Sequence, residues 1–273
     1  MEAVLAIIEE DLKNVELQFI KYLQSDVPLI SKIAEYVFSS GGKRIRPALL
    51  LLSARLCNYN GNRHVPFASV IEFIHTATLL HDDVIDKAQL RRGIASANTL
   101  WGNEASVLVG DYLFSKSFSI MVDEGNLDLL RALSNATTTI AEGEVLQLVS
   151  MNNLHITQDH YIEVIKNKTA ILLATACQAG AILGMVSAEF ETALQNFGLE
   201  LGIAFQLIDD TLDYVSSEEK FGKSIGHDLK EGKITLPLIH TLKNCSPVER
   251  AEIATILDKD TLCLLYTSDA ADE

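Results

Sequence analysis

No proline interrupts the chain between Pro66 and Pro237, and across that span the apolar residues recur at three- and four-residue intervals. Proline lacks a backbone N–H and clashes inside a helix, so its absence over such a length leaves room for several uninterrupted helices. Leu, Ile, Ala and Val dominate a sequence that is 48% hydrophobic but only 7% aromatic, a mixture suited to packed helices. Strand-like alternation never persists beyond a few residues, so an all-α fold is expected. At 273 residues the chain can bury one large core or two modest ones.

Helical periodicity places an amphipathic helix over residues 2–23 and another over 29–39. A third runs from Pro47 to about Cys57, and a fourth from about Phe67 to Lys87. Asn98 to Val122 reads as two helical pieces around Gly110-Asp111. Asn126 and Thr157 are expected caps, and Ser187, followed by Glu189 and Glu191, opens a further helix. Residues 216–233 form a glycine- and lysine-rich loop, after which Thr235-Leu236-Pro237 restarts a helix. Ser246-Pro247-Val248-Glu249 is a capping box for a last helix to about Leu257.

The net charge of −15 argues against nucleic acid as a partner, because phosphate backbones recruit an excess of Lys and Arg. Cys57, Cys177, Cys245 and Cys263 are scattered without a C-x-x-C pair, as expected of reduced thiols in a cytoplasmic protein. Met1-Glu2-Ala3-Val4 has no basic region and does not read as a signal peptide. The most apolar run, Ala170 to Val186, is broken by Thr175, Gln178 and Gly180 and reads as a buried helix, not a membrane span.

Against this apolar background, Asp82, Asp83 and Asp86 fall within five residues at the end of the fourth helix. Asp82 and Asp86 are four apart, so they share a helical face, and Asp83 stands three from Asp86. Like charges so close are destabilising unless a cation lies among them. Mg²⁺ suits such a place, since it takes one or two carboxylates and fills its other positions with water and phosphate oxygens. A solvated acidic helix end would carry the same residues. However, Asp209, Asp210 and Asp213 repeat the spacing at the end of another apolar helix, and a structural core does not tolerate such charge unpaired.

Cations lie nearby in sequence. Gly41-Gly42-Lys43-Arg44-Ile45-Arg46-Pro47 places three of them beside glycines that allow close backbone approach, a composition that can hold a diphosphate or form an ordinary charged loop. Arg91 and Arg92 follow the first acidic cluster, and Lys223 and Lys233 lie in the 216–233 loop, which can lay them over a bound diphosphate or stay in solvent. His75 lies two turns before Asp82, where a histidine is more often a satisfied core residue than a ligand. No Ser-His-Asp or Cys-His set stands out.

Taken in order, these motifs resemble the trans-isoprenyl diphosphate synthase family, and within it are most similar to bacterial octaprenyl diphosphate synthases. The matching residues are 41–47, His81 to Asp86, Arg91-Arg92-Gly93, Gly110-Asp111, Ala141 to Glu144, Lys168-Thr169, Gly202 to Asp210, Gly222-Lys223, Asp228-Leu229, and Glu231 to Pro237. The resemblance implies a single large helical bundle around a central cavity, usually a homodimer, that joins an allylic diphosphate repeatedly to isopentenyl diphosphate. It implies Mg²⁺ held by Asp82, Asp86 and Asp209, with Asp83, Asp210 and Asp213 supporting directly or through water; Asp213 is counted among the metal residues. Arg91, Lys168, Thr169, Gln206, Lys223 and Lys233 are expected at the allylic substrate, and Lys43, Arg46, His75 and Arg92 at isopentenyl diphosphate. Small Ala77 and Thr78, five and four residues before Asp82, imply a long product near forty carbons, used in the family as a quinone side chain. The family-like domain is expected over 1–262, truncated at its C-terminus, with 263–273 a tail of different character. A class I terpene cyclase shares the all-α bundle but lacks the Gly-Gly-Lys-Arg-Ile-Arg-Pro site. A regulatory subunit of a heteromeric synthase usually loses aspartates from one cluster, and a plain helical scaffold has no use for either.

Overall fold

Helices account for nearly all of residues 2–215 and 226–265, which are the residues that the computed structural model describes. The helix expected over 2–23 is interrupted: α1 (Glu2–Leu5) and a 3₁₀ turn (Ala6–Ile8) precede α2 (Glu9–Tyr22). Then come α3 (Pro28–Ser39), α4 (Ile45–Leu56) and α5 (His64–Ile85). The basic connection after α5 is a small hairpin, β1 (Leu90–Arg91) paired antiparallel with β2 (Ile94–Ala95). Its two loop residues, Arg92 and Gly93, both have positive φ (54° and 80°), the geometry that matches strand twist in a two-residue turn.

The helix break expected at Gly110 is absent. α6 (Ala97–Trp101) ends at Gly102, whose φ of 86° no helical residue adopts, and α7 (Asn103–Glu124) runs straight through Gly110. α8 (Leu127–Ser150) is capped by Asn126, whose side chain accepts the Leu129 N–H at 3.0 Å. Thr157 caps α9 (Gln158–Ile165) as expected. A π turn (Lys166–Ala170), absent from the sequence reading, joins α9 to α10 (Ile171–Gly184). α11 (Ala188–Val215) follows, then a short α12 (His227–Lys230), α13 (Leu236–Asn244) and α14 (Pro247–Leu265). The capping box of α14 is formed, with Ser246 N–H donating to Glu249 Oε2 at 2.8 Å.

These elements pack as two compact units, residues 1–138 with 170–201, and residues 139–169 with 202–273. In the first unit Phe19 stacks on Phe38 at 3.8 Å between centroids and lies 4.3 Å from Phe73, joining α2, α3 and α5. Asp11 accepts hydrogen bonds from Arg55 at 2.8 Å and His64 at 3.1 Å, which ties α2 to α4 and α5. The apolar run over 170–186 is a buried helix: a Cβ at Gly180 would stand 2.5 Å from Ala54 N, so the small residues let α10 lie directly on α4. Among the described residues Asn103–Glu124 is the one helix long and apolar enough to cross a membrane, and it packs along α5. In the second unit Ile234, Leu238, Leu242 and Leu257 form a core with Leu154, Ile156 and Tyr214 against it.

Candidate active site

Each unit carries one of the acidic clusters. In the first unit Asp82 and Asp86 lie half-buried at the last turn of α5, and Asp83 is 1% exposed. Helix C-termini disfavour anions because unpaired carbonyls already concentrate negative potential there. Three carboxylates at such an end are compatible with folding where cations gather. Arg91, delivered by β1, supplies one: its guanidinium grips Asp83 at 2.7–2.8 Å through Nε and Nη2. Asp82 and Asp86 share the remaining face of the helix end.

His75 stands on that face two turns earlier. Arginine has donors only, so Arg46 Nη1, 3.1 Å from His75 Nε2, must donate to it, leaving the imidazole proton on Nδ1. Burial, then Arg46, Arg92, Arg91 and Arg44, hold the imidazole pKa well below the usual histidine value, so it is neutral at pH 7. Burial also lowers Arg46 to about 10, which leaves it charged, and its buried Nε has no hydrogen-bond partner. Arg92 is exposed and close enough to lower Arg46 further, and it donates to Gly41 O and, at 3.3 Å, to Ser40 Oγ; Lys43 is exposed three residues before Arg46 in the chain. Gly42 has φ of 150°, and a Cβ there would come within 3.4 Å of both the Arg44 and Arg92 guanidinium groups. Arg44 itself is structural: it pairs with buried Glu72 at 2.8 Å and donates to Phe38 O at 2.7 Å. Arg46, Arg92 and neutral His75 thus form a donor-rich cluster suited to an anion.

In the second unit Asp210 is buried and accepts from Tyr161 Oη at 2.5 Å and Gln206 Nε2 at 2.7 Å. Burial pushes its pKa up, and the same burial, with Asp210 beside it, raises Tyr161. Asp209 is exposed, and Asp213 accepts the Asp228 backbone N–H at 3.1 Å. Lys168, presented by the π turn, donates to Glu144 at 2.6 Å and Gln147 at 2.8 Å, and Thr169 donates to Gln206 at 3.0 Å. π turns recur where a helix must re-aim side chains. Gly143 makes this one possible: a Cβ there would stand 2.7 Å from Lys168 N. Lys233 pairs with Glu231 at 2.8 Å, and Lys223 lies outside the described residues. A cavity of about 840 Å³ in this unit, lined by Leu154, Ile156, Thr211, Pro237, Ile239 and Leu242 among others, touches none of the expected site residues.

Sequence reasoning gave no role to Asp228, Tyr161, Gln147 or the Arg44–Glu72 pair, although Asp228 and Arg44 stood within its motifs. Asp228 carried a signal in the matched Asp228-Leu229 pair of the lysine-rich segment. Burial first, then Asp210 and Asp213, push its carboxyl up to about 7. The sign of the consequence follows directly. The folded state holds a proton that the unfolded chain releases near pH 4, so stability falls as pH rises from about 4 to about 7. Urea unfolding of the metal-free protein is expected to show this decline, at no more than about 1.4 kcal/mol per pH unit. Asp228→Asn is expected to flatten it, and an unchanged slope in that variant would refute the assignment.

Among the described residues no three His, Cys, Asp or Glu side chains form a protein-only metal cage. The available donors are hard carboxylate oxygens in pairs, the set a divalent cation takes when waters and phosphate oxygens complete its shell. The polyprenyl synthetase family profile matches residues 27–267, and the chain belongs to that family and is a prenyltransferase. It is 47% identical to octaprenyl diphosphate synthase of Escherichia coli strain K12 over 95% of this chain and 80% of that one. Its structure is similar to that of a decaprenyl diphosphate synthase from Rhodobacter capsulatus, with TM-score 0.90 and 43% identity over 95% and 80% of the two chains. It is equally similar to a polyprenyl synthase from Caulobacter crescentus CB15 complexed with calcium and isoprenyl diphosphate, with TM-score 0.91 and 42% identity over 95% and 79%.

Proposed function

We propose that this chain is a Mg²⁺-dependent synthase that adds isopentenyl diphosphate repeatedly to an allylic diphosphate such as farnesyl diphosphate, making an all-trans product of about eight isoprene units for quinone side chains. The observation that carries this reading is the layout of α5. His75 of the anion pocket and the carboxylates Asp82 and Asp86 share one helical face, Asp82 about 10 Å and Asp86 about 16 Å from His75 along the axis at 1.5 Å per residue. Two diphosphates can therefore be held along this helix, one at the cations and one at the carboxylates that would hold the metal.

Asp82 and Asp86 would hold metal in the first unit, and Asp209 and Asp213 in the second, with Asp210 fixed behind them by Tyr161 and Gln206. Bound Mg²⁺ supplies charge stabilisation to the diphosphate as it leaves. Lys43, Arg46 and Arg92 hold the isopentenyl diphosphate, and neutral His75 accepts from Arg46 without adding charge. Arg91 of the first unit, aimed by Asp83, and Lys168, Thr169, Gln206 and Lys233 of the second are each assigned to the allylic diphosphate by the family resemblance. The C–O bond of the allylic substrate breaks heterolytically, the isopentenyl double bond attacks the allylic carbon, and a proton leaves. No protein nucleophile is required. The allylic cation requires shielding from water.

Ala77 is fully buried and Thr78 turns its hydroxyl back to His75 O at 2.8 Å, so neither projects bulk below Asp82. Incubation with farnesyl diphosphate, labelled isopentenyl diphosphate and Mg²⁺ is expected to give a ladder ending near forty carbons by mass. Thr78→Phe is expected to shorten it by several units. Termination of the wild-type ladder at twenty carbons or fewer would overturn the long-chain assignment. We also infer a cytoplasmic homodimer. The dimer is supported by the exposed apolar side chains Val107, Leu108 and Val122 on α7, and light scattering tests it.

A further inference from the structure

His81 opens the acidic cluster yet has no role in the chemistry above. Its Nε2 lies 3.2 Å from Val107 O and 3.2 Å from Asp111 Oδ1, both on α7. Both neighbours are acceptors, so Nε2 carries the hydrogen and donates across the interface. The imidazole reaches that place because residue 110 is glycine: a Cβ there would collide with Nε2 and stand 2.6 Å from Cδ2. Gly110 does not break α7; it is the seat of the His81 ring.

The position of this contact matters. Successive helical residues point about 100° apart. His81 is fastened to α7 on one side of Asp82, and Asp83 is fastened to Arg91 on the other. The backbone beyond is tied as well: Asn98 Nδ2 and Ala88 N–H both donate to Asp83 O, at 3.1 and 2.9 Å. With positions 81 and 83 pinned, the last turn of α5 cannot rotate. Asp82, and Asp86 one turn on, are thereby set on the remaining face.

We propose that His81, donating from Nε2 into α7 through the gap left by Gly110, is a positioning residue that sets Asp82 and Asp86 for their divalent cation and its diphosphate. This rests on the reading that those two carboxylates hold metal. Partners that orient ligands from behind typically change metal affinity by 10–100-fold when removed.

Two readouts on the full chain test it. One is the Mg²⁺ concentration for half-maximal turnover; the other, free of chemistry, is the Mg²⁺ dependence of the melting temperature with inorganic pyrophosphate present. His81→Leu and Gly110→Ala are each expected to raise the Mg²⁺ midpoint roughly tenfold in both. His81→Gln, whose amide nitrogen falls near Nε2, is expected to stay within about threefold of wild type. In a His81→Ala background, Gly110→Ala is expected to add little, since its methyl group fills the vacated space. That non-additivity separates ring expulsion from general damage, and the folded Gln and double variants keep the test decisive should His81→Leu fold poorly. Unchanged Mg²⁺ midpoints in His81→Leu and Gly110→Ala, whatever their melting temperatures, would overturn the proposal alone. A wild-type chain with no Mg²⁺ response in either readout would remove the metal reading beneath it as well.

Discussion

Asp82→Ala is expected to lower prenyl transfer about a thousandfold while moving the melting temperature by no more than about 2 °C. The two halves of that expectation have separate origins. In turnover, Asp82 is one of the two α5 carboxylates proposed to hold the metal, so its loss removes half of that proposed pair. A thousandfold is about 4 kcal/mol of transition-state stabilisation, the size seen when one well-placed electrostatic contact to developing charge is deleted. In stability, the side chain is a half-buried anion at a helix C-terminus with Asp83 and Asp86 beside it. Removing it relieves repulsion worth a few tenths of a kcal/mol, which offsets what small contacts it gives up. Asp82→Asn, of equal size, should behave alike. Turnover within tenfold of wild type at saturating Mg²⁺ would refute the metal role of this residue, and a parallel collapse of stability would reassign it to the fold.

The second large effect is on folding. The Asp83 side chain is 2% exposed and that of its partner Arg91 is 25% exposed. Breaking a buried ion pair costs about 3–5 kcal/mol because one charge is stranded, and the cost follows how deeply the survivor lies. Asp83→Ala strands a guanidinium that can reach water and is expected to cost about 2–3 kcal/mol, or roughly 5 °C in melting temperature. Arg91→Ala strands a carboxylate with no such exit and is expected to cost more. Thermal melts of the two variants side by side test the order; Asp83→Ala being the more damaging would show that the pair is not the brace described here.

Much of this was legible beforehand, and the omissions have physical causes. Helices could be read from apolar periodicity because each buries one face, and their caps at Asn126, Thr157 and Ser246 are local chemistry that needs no tertiary information. Gly110 misled because a glycine in a helix costs only about 1 kcal/mol; its purpose lies in a side chain 29 residues away in sequence, His81. The true break, Gly102, was invisible for the same reason. The hairpin carrying Arg91 has strands of two residues, too short for alternation to register. The acidic pairs and the cations of residues 41–47 could be singled out because their charges are conspicuous in an apolar chain. The raised carboxyl of Asp228 was not legible, since its burial and its neighbours Asp210 and Asp213 exist only after α12 folds back on α11.

The π turn at Lys166–Ala170 has a meaning that no point substitution exposes. It is one residue more than a regular helix can hold, so the helical phase before it and the phase after it are offset by about 100°. Lys168 and Thr169 face Glu144, Gln147 and Gln206 because of that surplus. The information is carried by a count of residues, not by their kinds. A chain with every charged and polar group retained, but one residue deleted in this turn, would knit α9 and α10 into a continuous rod and turn its lysine elsewhere. Lineages of such chains can therefore exchange side chains along this segment far more freely than they can change its length.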